Sequence, residues 1–294
     1  MKNLNLKKSK ISKQITVYGL RITVLALCLC VSVVKSYGDT HYVSMDGGNV
    51  SPYSSAANAA TDIQNAINAA EDGDTVLVDD GVYFPPNQLV LTNDIILRSV
   101  NGPYKTTIDG SNSHAVVSIS EAEAILEGFT ITHGDGFWGG GVYVFRTGTV
   151  DRCILSENKA VNGGGIFLNE GGLVKNSLII NNSVSSMAGG LGFRIGGDAV
   201  NCTIVGNSGT YGGFYCAYGF LANCIIWDNY LNGDTNNYKF SGTGTSEFCC
   251  TFPVMNGVGQ IGLPPEFMDS VYNNYLLKPS SPCVNSGRYS KLVR

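Results

Sequence analysis

The sequence predicts an all-β fold, a parallel β-helix of about 24 residues per rung. Three observations predict it. Glycine-led turns recur at Gly139-Gly140-Gly141-Val142, Gly163-Gly164-Gly165-Ile166, Gly189-Gly190-Leu191 and Gly212-Gly213-Phe214, so equivalent glycines return after 24, 25 and 23 residues. Each turn is partnered by a short apolar strand ending in asparagine: Cys153 to Asn158, Ser177 to Asn182, Cys202 to Asn207 and Cys224 to Asn229. In all four, a Cys or Ser stands five residues before the Asn. One unit of this size cannot bury its own apolar face and must stack on its neighbours.

The elements follow in order. Residues 1–38 carry Lys2, Lys7, Lys8, Lys10, Lys13, Arg21 and Lys35 but no acid, with an apolar run from Val24 to Val34. A basic start, a short apolar core and the small residues Ser36 and Gly38 read as a secretory signal peptide cleaved before Asp39. The run is short for a membrane span. A lipoprotein reading through Cys28 or Cys30 is disfavoured by the leucine before each. Residues 39–73 hold a short strand at His41-Tyr42-Val43-Ser44 and then a capping helix, in which Ile63, Ala66, Ile67 and Ala70 share one face. Thr61 and Gln64 have the spacing of a capping box. A single helix ahead of a β-solenoid is expected to cover its open end and hide unpaired strand groups.

Residues 74–231 form the solenoid, with strands near Thr75-Val78, Leu89-Leu91, Ile95-Leu97, Thr107-Ile108, Val116-Ile119 and Phe129-Thr132 before the four repeats. Two strands per turn and six or seven rungs are expected. Residues 232–294 are a C-terminal β and loop segment. Glycine suits the sharp bends because it reaches angles closed to residues with a Cβ. The asparagines are expected as structural ladders, tolerating the left-handed conformation and bonding along the stack.

Strand alternation separates inside from outside. Cys153/Leu155, Ser177/Ile179, Cys202/Ile204 and Cys224/Ile226 point inward, as do Val142/Val144, Ile166/Leu168, Leu191/Phe193 and Phe214/Cys216. An outward column of Tyr143, Phe167, Gly192 and Tyr215 results, flanked by Phe145, Asn169, Arg194 and Ala217. Cys153, Cys202 and Cys224 occupy one repeat position and read as small interior residues. Cys249 or Cys250 with Cys283 is the expected disulfide in an oxidising compartment.

Without residues 1–38 the chain holds 12 bases against 23 acids. That excess argues against nucleic acid and anionic membranes, which need a basic footprint. The chain has neither His-x-x-x-His nor Cys-x-x-Cys, and only His41, His114 and His133, so no metal site is expected. The glycine runs do not lead from a strand into a helix, which removes a phosphate-cradling loop.

The Gly-Gly-apolar turns and the strand ends Leu155 to Asn158, Ile179 to Asn182, Ile204 to Asn207 and Ile226 to Asn229 resemble the repeats of polymorphic outer-membrane proteins. The stretch Ala66 to Tyr83 resembles the opening of pectin-lyase-like right-handed parallel β-helix proteins. Pro265 to Asp269, Asn274 to Leu277 and Ser281 to Gly287 resemble the terminal segment of exported bacterial proteins that precedes a sorting tail, with Val284-Asn285-Ser286 for the usual Ile-Asp-Ala. Seven residues follow Gly287, and no sorting tail is expected. These resemblances imply export to the bacterial cell surface or outside and a right-handed solenoid.

Two functions then compete. In the first, the chain is an adhesin-like, structural or glycan-binding module, using Tyr143, Phe145, Phe167 and Tyr215 as flat faces and Asn169 and Arg194 as hydrogen-bonding partners. The expected partner is a polysaccharide or surface glycan, and the chain is expected as a monomer without cofactors. In the alternative it is a polysaccharide lyase or glycoside hydrolase, with His133 and Asp135 as an acid/base pair and Arg146 as a cationic group. A lyase on acidic sugars would also need Ca²⁺ held by several carboxylates, and a hydrolase two carboxyl groups across the bond.

Overall fold

The computed structural model describes residues 38–231 and 233–288. The expected signal peptide, apart from Gly38, lies outside the described residues. Each coil runs through three sheets. One complete coil passes from Val142–Phe145 in the third sheet to Thr149–Asp151 in the first and Ile154–Ser156 in the second, and re-enters the third at Ile166–Asn169. The first, second and third sheets have 9, 8 and 7 strands, all neighbours parallel. A further short strand, Lys159–Asn162, joins Asp135–Trp138 and Ser183–Val184 in a 3-stranded sheet beside the third. Three main strands per coil replace the expected two, because two sharp corners flank each strand of the second sheet.

Those corners explain the polar residues around the repeat. Arg152, Asn176, Asn201 and Asn223 have φ of 51°, 52°, 57° and 54°, and turn the chain from the first sheet into the second. Glu157, Asn181, Gly206 and Asp228, at 58°, 55°, 68° and 48°, turn it out again. The left-handed angle thus falls one residue before the strand-end asparagines rather than on them. Those asparagines instead form an interior ladder. Asn158, Asn182, Asn207, Asn229 and Asn237 are buried, and the Nδ2 of each of the first four donates to the Oδ1 of the next, at 3.0, 2.9, 3.0 and 3.1 Å. Buried amides of this kind are tolerated because they are hydrogen-bonded.

The core follows the predicted alternation. Val117, Val142, Ile166, Leu191 and Phe214 stack in register inside the third sheet, with Ile119, Val144, Leu168, Phe193 and Cys216 beside them. Leu155, Ile179, Ile204 and Ile226 line the second sheet, all fully buried. Each contributes about 1.5–3 kcal/mol by leaving water. Gly165 needs its missing Cβ: an added carbon would lie 2.7 Å from Gly190 O and 3.0 Å from Asn182 Nδ2. Gly163, at φ 65°, supplies the bend before it.

The solenoid reaches past its expected limits. Thr40–Val43 is the edge strand of the first sheet, paired with Thr75–Val78, and Tyr238–Phe240, Thr245–Glu247 and Cys250–Thr251 extend all three sheets. The helix Ile63–Ala69 buries Ile63, Ala66 and Ile67. Its N-cap is Asp62, whose side chain accepts from Asn65 N at 3.2 Å, not Thr61. Gln64 is thereby free to reach the sheet. It accepts from Val90 N at 2.8 Å and donates to Val90 O at 3.2 Å, satisfying the edge strand Leu89–Leu91.

Candidate functional site

An aromatic platform stands on the outer side of the third sheet. Its floor is Phe167, which is wholly buried, contrary to the expectation that it lies open. Two features bury it. Trp138, on the neighbouring short strand, covers it with ring centroids 4.7 Å apart, and Tyr143 stacks at 6.4 Å and 17°. Gly192, its register partner one coil on, leaves room for the ring, since a Cβ there would come 2.9 Å from Phe167. Trp138 and Tyr143 are half-buried, and Phe137, edge-on to Trp138 at 4.9 Å, is 60% exposed. The Arg194 guanidinium sits 5.8 Å from the Trp138 ring centre, a cation–π distance.

The other predicted glycan contacts divide. Asn169 is buried rather than outward-facing; its Nδ2 donates to Tyr143 Oη at 3.3 Å, and its Oδ1 has no protein partner. Phe145 lies under the Arg146 guanidinium at 5.0 Å. Tyr215 is half-buried, stacked on Tyr211 at 5.1 Å and hydrogen-bonded to Ser241 at 2.7 Å. The gap at Gly192 separates it from Phe167, so the expected continuous column is two clusters.

The catalytic candidates are rearranged by the coil period. His133 does not pair with Asp135, which lies exposed on the short strand Asp135–Trp138. Its partners are one coil away on either side: Nδ1 meets Asp109 at 2.9 Å and Nε2 meets Glu157 at 3.3 Å. The Asp109 hydrogen bond, against a smaller opposing effect of burial, raises the His133 pKa above the ordinary imidazole value, and Glu157 adds to it. Arg146 is held likewise between Glu121 at 2.8 Å and Glu170 at 3.3 Å. At the opposite corner the buried Glu127 receives Arg98 at 2.9 Å and also Arg152. Burial alone would raise the Glu127 pKa, but the two guanidiniums outweigh it and lower it.

In the His133 and Arg146 ladders the carboxylates come in pairs separated by a basic side chain. Among the described residues no group of three or more His, Cys, Asp or Glu side chains could hold a metal ion. A lyase-type Ca²⁺ set therefore does not fit this arrangement.

The expected disulfide candidates fall in two places. Cys249 is fully buried in an interior stack with Cys224 and Cys202, whose mutual contacts and burial raise the Cys224 pKa. It faces away from the tail. Cys250 instead meets Cys283, and that contact raises the Cys250 pKa and lowers that of Cys283; both are thiols here. Burial pushes the Cys153 thiol up to about 12, leaving it inert.

Sequence reasoning missed Phe137, Trp138, Asp109 and Glu157. The period carried a signal for the last two, since Asp109, His133 and Glu157 are each 24 residues apart. Among the described residues no helix is long and apolar enough to cross a membrane.

No protein-family model matches the sequence, and no curated protein matches it. Among solved structures, pectate lyase Pel9A aligns with a TM-score of 0.56 over 74% of this chain and 64% of that one, at 19% identity. The match thus spans less than two thirds of the lyase. Two structures of pectin methylesterase in complex with hexasaccharides align over 71% and 72% of this chain and 78% of theirs, with TM-scores of 0.45 and 0.43 at 13% and 12% identity. The likeness is one of fold: this chain folds as a right-handed parallel β-helix similar to that of the lyase.

Proposed function

We propose that this chain is an exported glycan-binding module working at or outside the cell surface. The observation that carries the reading is the Trp138–Phe167–Tyr143 platform. A pyranose ring presents a face of C–H groups, which fits the negative face of an aromatic ring. Trp138 is already braced from below by Phe167, so little side-chain freedom is lost on binding. Arg194 stands beside it for hydroxyl or carboxylate groups. Retention of the purified chain on a polysaccharide panel tests this. Trp138→Ala and Tyr143→Ala should each weaken retention by about tenfold, or about 1.4 kcal/mol. Undiminished retention in a folded Trp138→Ala protein would sink the proposal.

A second reading, a glycoside hydrolase, draws on the Asp109–His133–Glu157 cluster. In its protonated form, which Asp109 and Glu157 favour, His133 would donate its Nε2 proton to the leaving glycosidic oxygen while the exposed Glu157 takes a proton from the water that adds to the anomeric carbon. New reducing ends from the same panel, lost in His133→Gln, would favour it over binding alone.

Export carries its own expectation. In an oxidising compartment Cys250 and Cys283 would form a disulfide by exchange with a disulfide oxidant, which takes up their two electrons and two protons. A non-reducing peptide map should then join the two peptides, and separate peptides from exported protein would count against it.

A further inference from the structure

After its last solenoid strand, Cys250–Thr251, the chain folds back along the outer face of the second sheet. Cys283 meets Cys250, and one coil back Asn223 clasps Arg288, donating to its O at 2.7 Å and accepting from its N at 2.9 Å. The hairpin of Phe267–Asp269 and Asn274–Leu277, turned by Ser270–Tyr272, stands over the corner ladder. It leaves a cleft of about 600 Å³, bordered by Asn176, Asn201, Thr203, Tyr104, Tyr272 and Tyr275, a volume in the range of ligand sites.

No charged side chain lines this cleft. Two of its polar groups, Asn176 and Asn201, are amides fixed in direction by a ladder: Asn223 Nδ2 donates to Asn201 Oδ1 at 3.0 Å, Asn201 Nδ2 to Asn176 Oδ1 at 3.0 Å, and Asn176 Nδ2 to Asp151 Oδ1 at 2.8 Å. Each of Asn176 and Asn201 spends one N–H and one lone pair on the ladder and keeps one of each free. These free pairs repeat at the coil spacing of about 4.8 Å, close to the advance of one sugar ring in an extended glycan. Tyr104 and Tyr272 border the same cleft at 85% and 82% exposure. Such large aromatic surfaces, unburied beside aligned amides, suit a sugar face.

We propose that this cleft binds an extended, uncharged oligosaccharide. It is separate from the platform on the third sheet, where Arg194, Arg146, Glu121 and Glu170 supply charge. Calorimetry with cellohexaose, xylohexaose and maltohexaose, with hexagalacturonate as the charged comparator, tests it. At least one neutral probe should bind with a Kd below about 1 mM. Tyr104→Ala and Tyr272→Ala should each weaken it by about tenfold, in the wild-type and in a Trp138→Ala background alike, and added salt should have little effect. Because both tyrosines are so exposed, the variants should melt as wild type does. The proposal is overturned if no neutral probe binds, if binding survives both tyrosine substitutions, or if only Trp138→Ala removes it. Failure of the platform reading is a different result, undiminished polysaccharide retention by Trp138→Ala.

Discussion

Each interior asparagine completes several hydrogen bonds that water cannot reach. Asn182 donates to Leu155 O and Asn207 Oδ1, both at 2.9 Å, and accepts from Asn158 N and Nδ2, both at 3.0 Å. Asn182→Ala strands several of these buried partners at about 1–3 kcal/mol each. A loss of about 3 kcal/mol or more by urea unfolding is expected. Asn201→Ala, in the solvent-accessible corner ladder, should cost under about 1 kcal/mol; equal losses would show that burial does not set the difference. Titration works in opposite directions at the two charged corners. The folded pKa of Glu127 is lowered, so its stabilisation is complete above the ordinary carboxyl value of 4.5 and fades as pH falls through the folded value. That of His133 is raised, so its stabilisation is complete below the ordinary 6.5 and fades as pH rises through the folded value. Both are whole between those ordinary values. The melting-temperature difference between wild type and His133→Gln should therefore shrink at high pH, and the His133 NMR midpoint should fall toward 6.5 in Asp109→Asn. The His133 partners were legible in the 24-residue period but were sought next to it in sequence, at Asp135. Phe167 was assigned correctly to the outward side of its strand, yet alternation cannot report that Trp138 from another strand lies on top of it.

At the scale of elements, the helix illustrates how an exposed strand edge is closed. Its apolar stripe was readable from Ile63, Ala66 and Ile67. The capping box was not the mechanism, because Asp62 is nearer the helix start and leaves Gln64 to bond both backbone groups of Val90. Gln64→Ala should speed hydrogen exchange at Val90 N–H by about tenfold, a local opening of about 1.4 kcal/mol, while exchange in the interior strands stays unchanged. Unaltered Val90 exchange would mean that water or another group satisfies the edge equally well. The glycine turns carry a stricter requirement. At Gly165 the next coil's carbonyl and the asparagine ladder approach together, so Gly165→Ala must push two coils apart. A loss of about 1–3 kcal/mol is expected, measured by urea unfolding.

Across the whole solenoid, the repeat made the middle coils legible because every one reports on its neighbours. The two ends were less so: Thr40–Val43 and residues 238–251 pair with the same sheets but lack the full glycine and asparagine signature. The return of the tail over Asn223 and Cys250 has no repeat to announce it. A coil packs only on the coils before and after it, so stability should be a sum of coil and interface contributions. Leu155 stacks between Ile131 and Ile179 in the middle, whereas Ile226 stacks between Ile204 and Thr251 near one end. Either residue replaced by alanine removes about 2–5 kcal/mol of packing, but the consequences should differ in space. Ile226→Ala should accelerate hydrogen exchange in residues 238–251 and leave residues 106–145 protected. Leu155→Ala should loosen coils on both sides of itself. Uniform acceleration from 75 to 251 in both variants would reject the nearest-neighbour description, because it would require the seven coils of the third sheet to open as one unit.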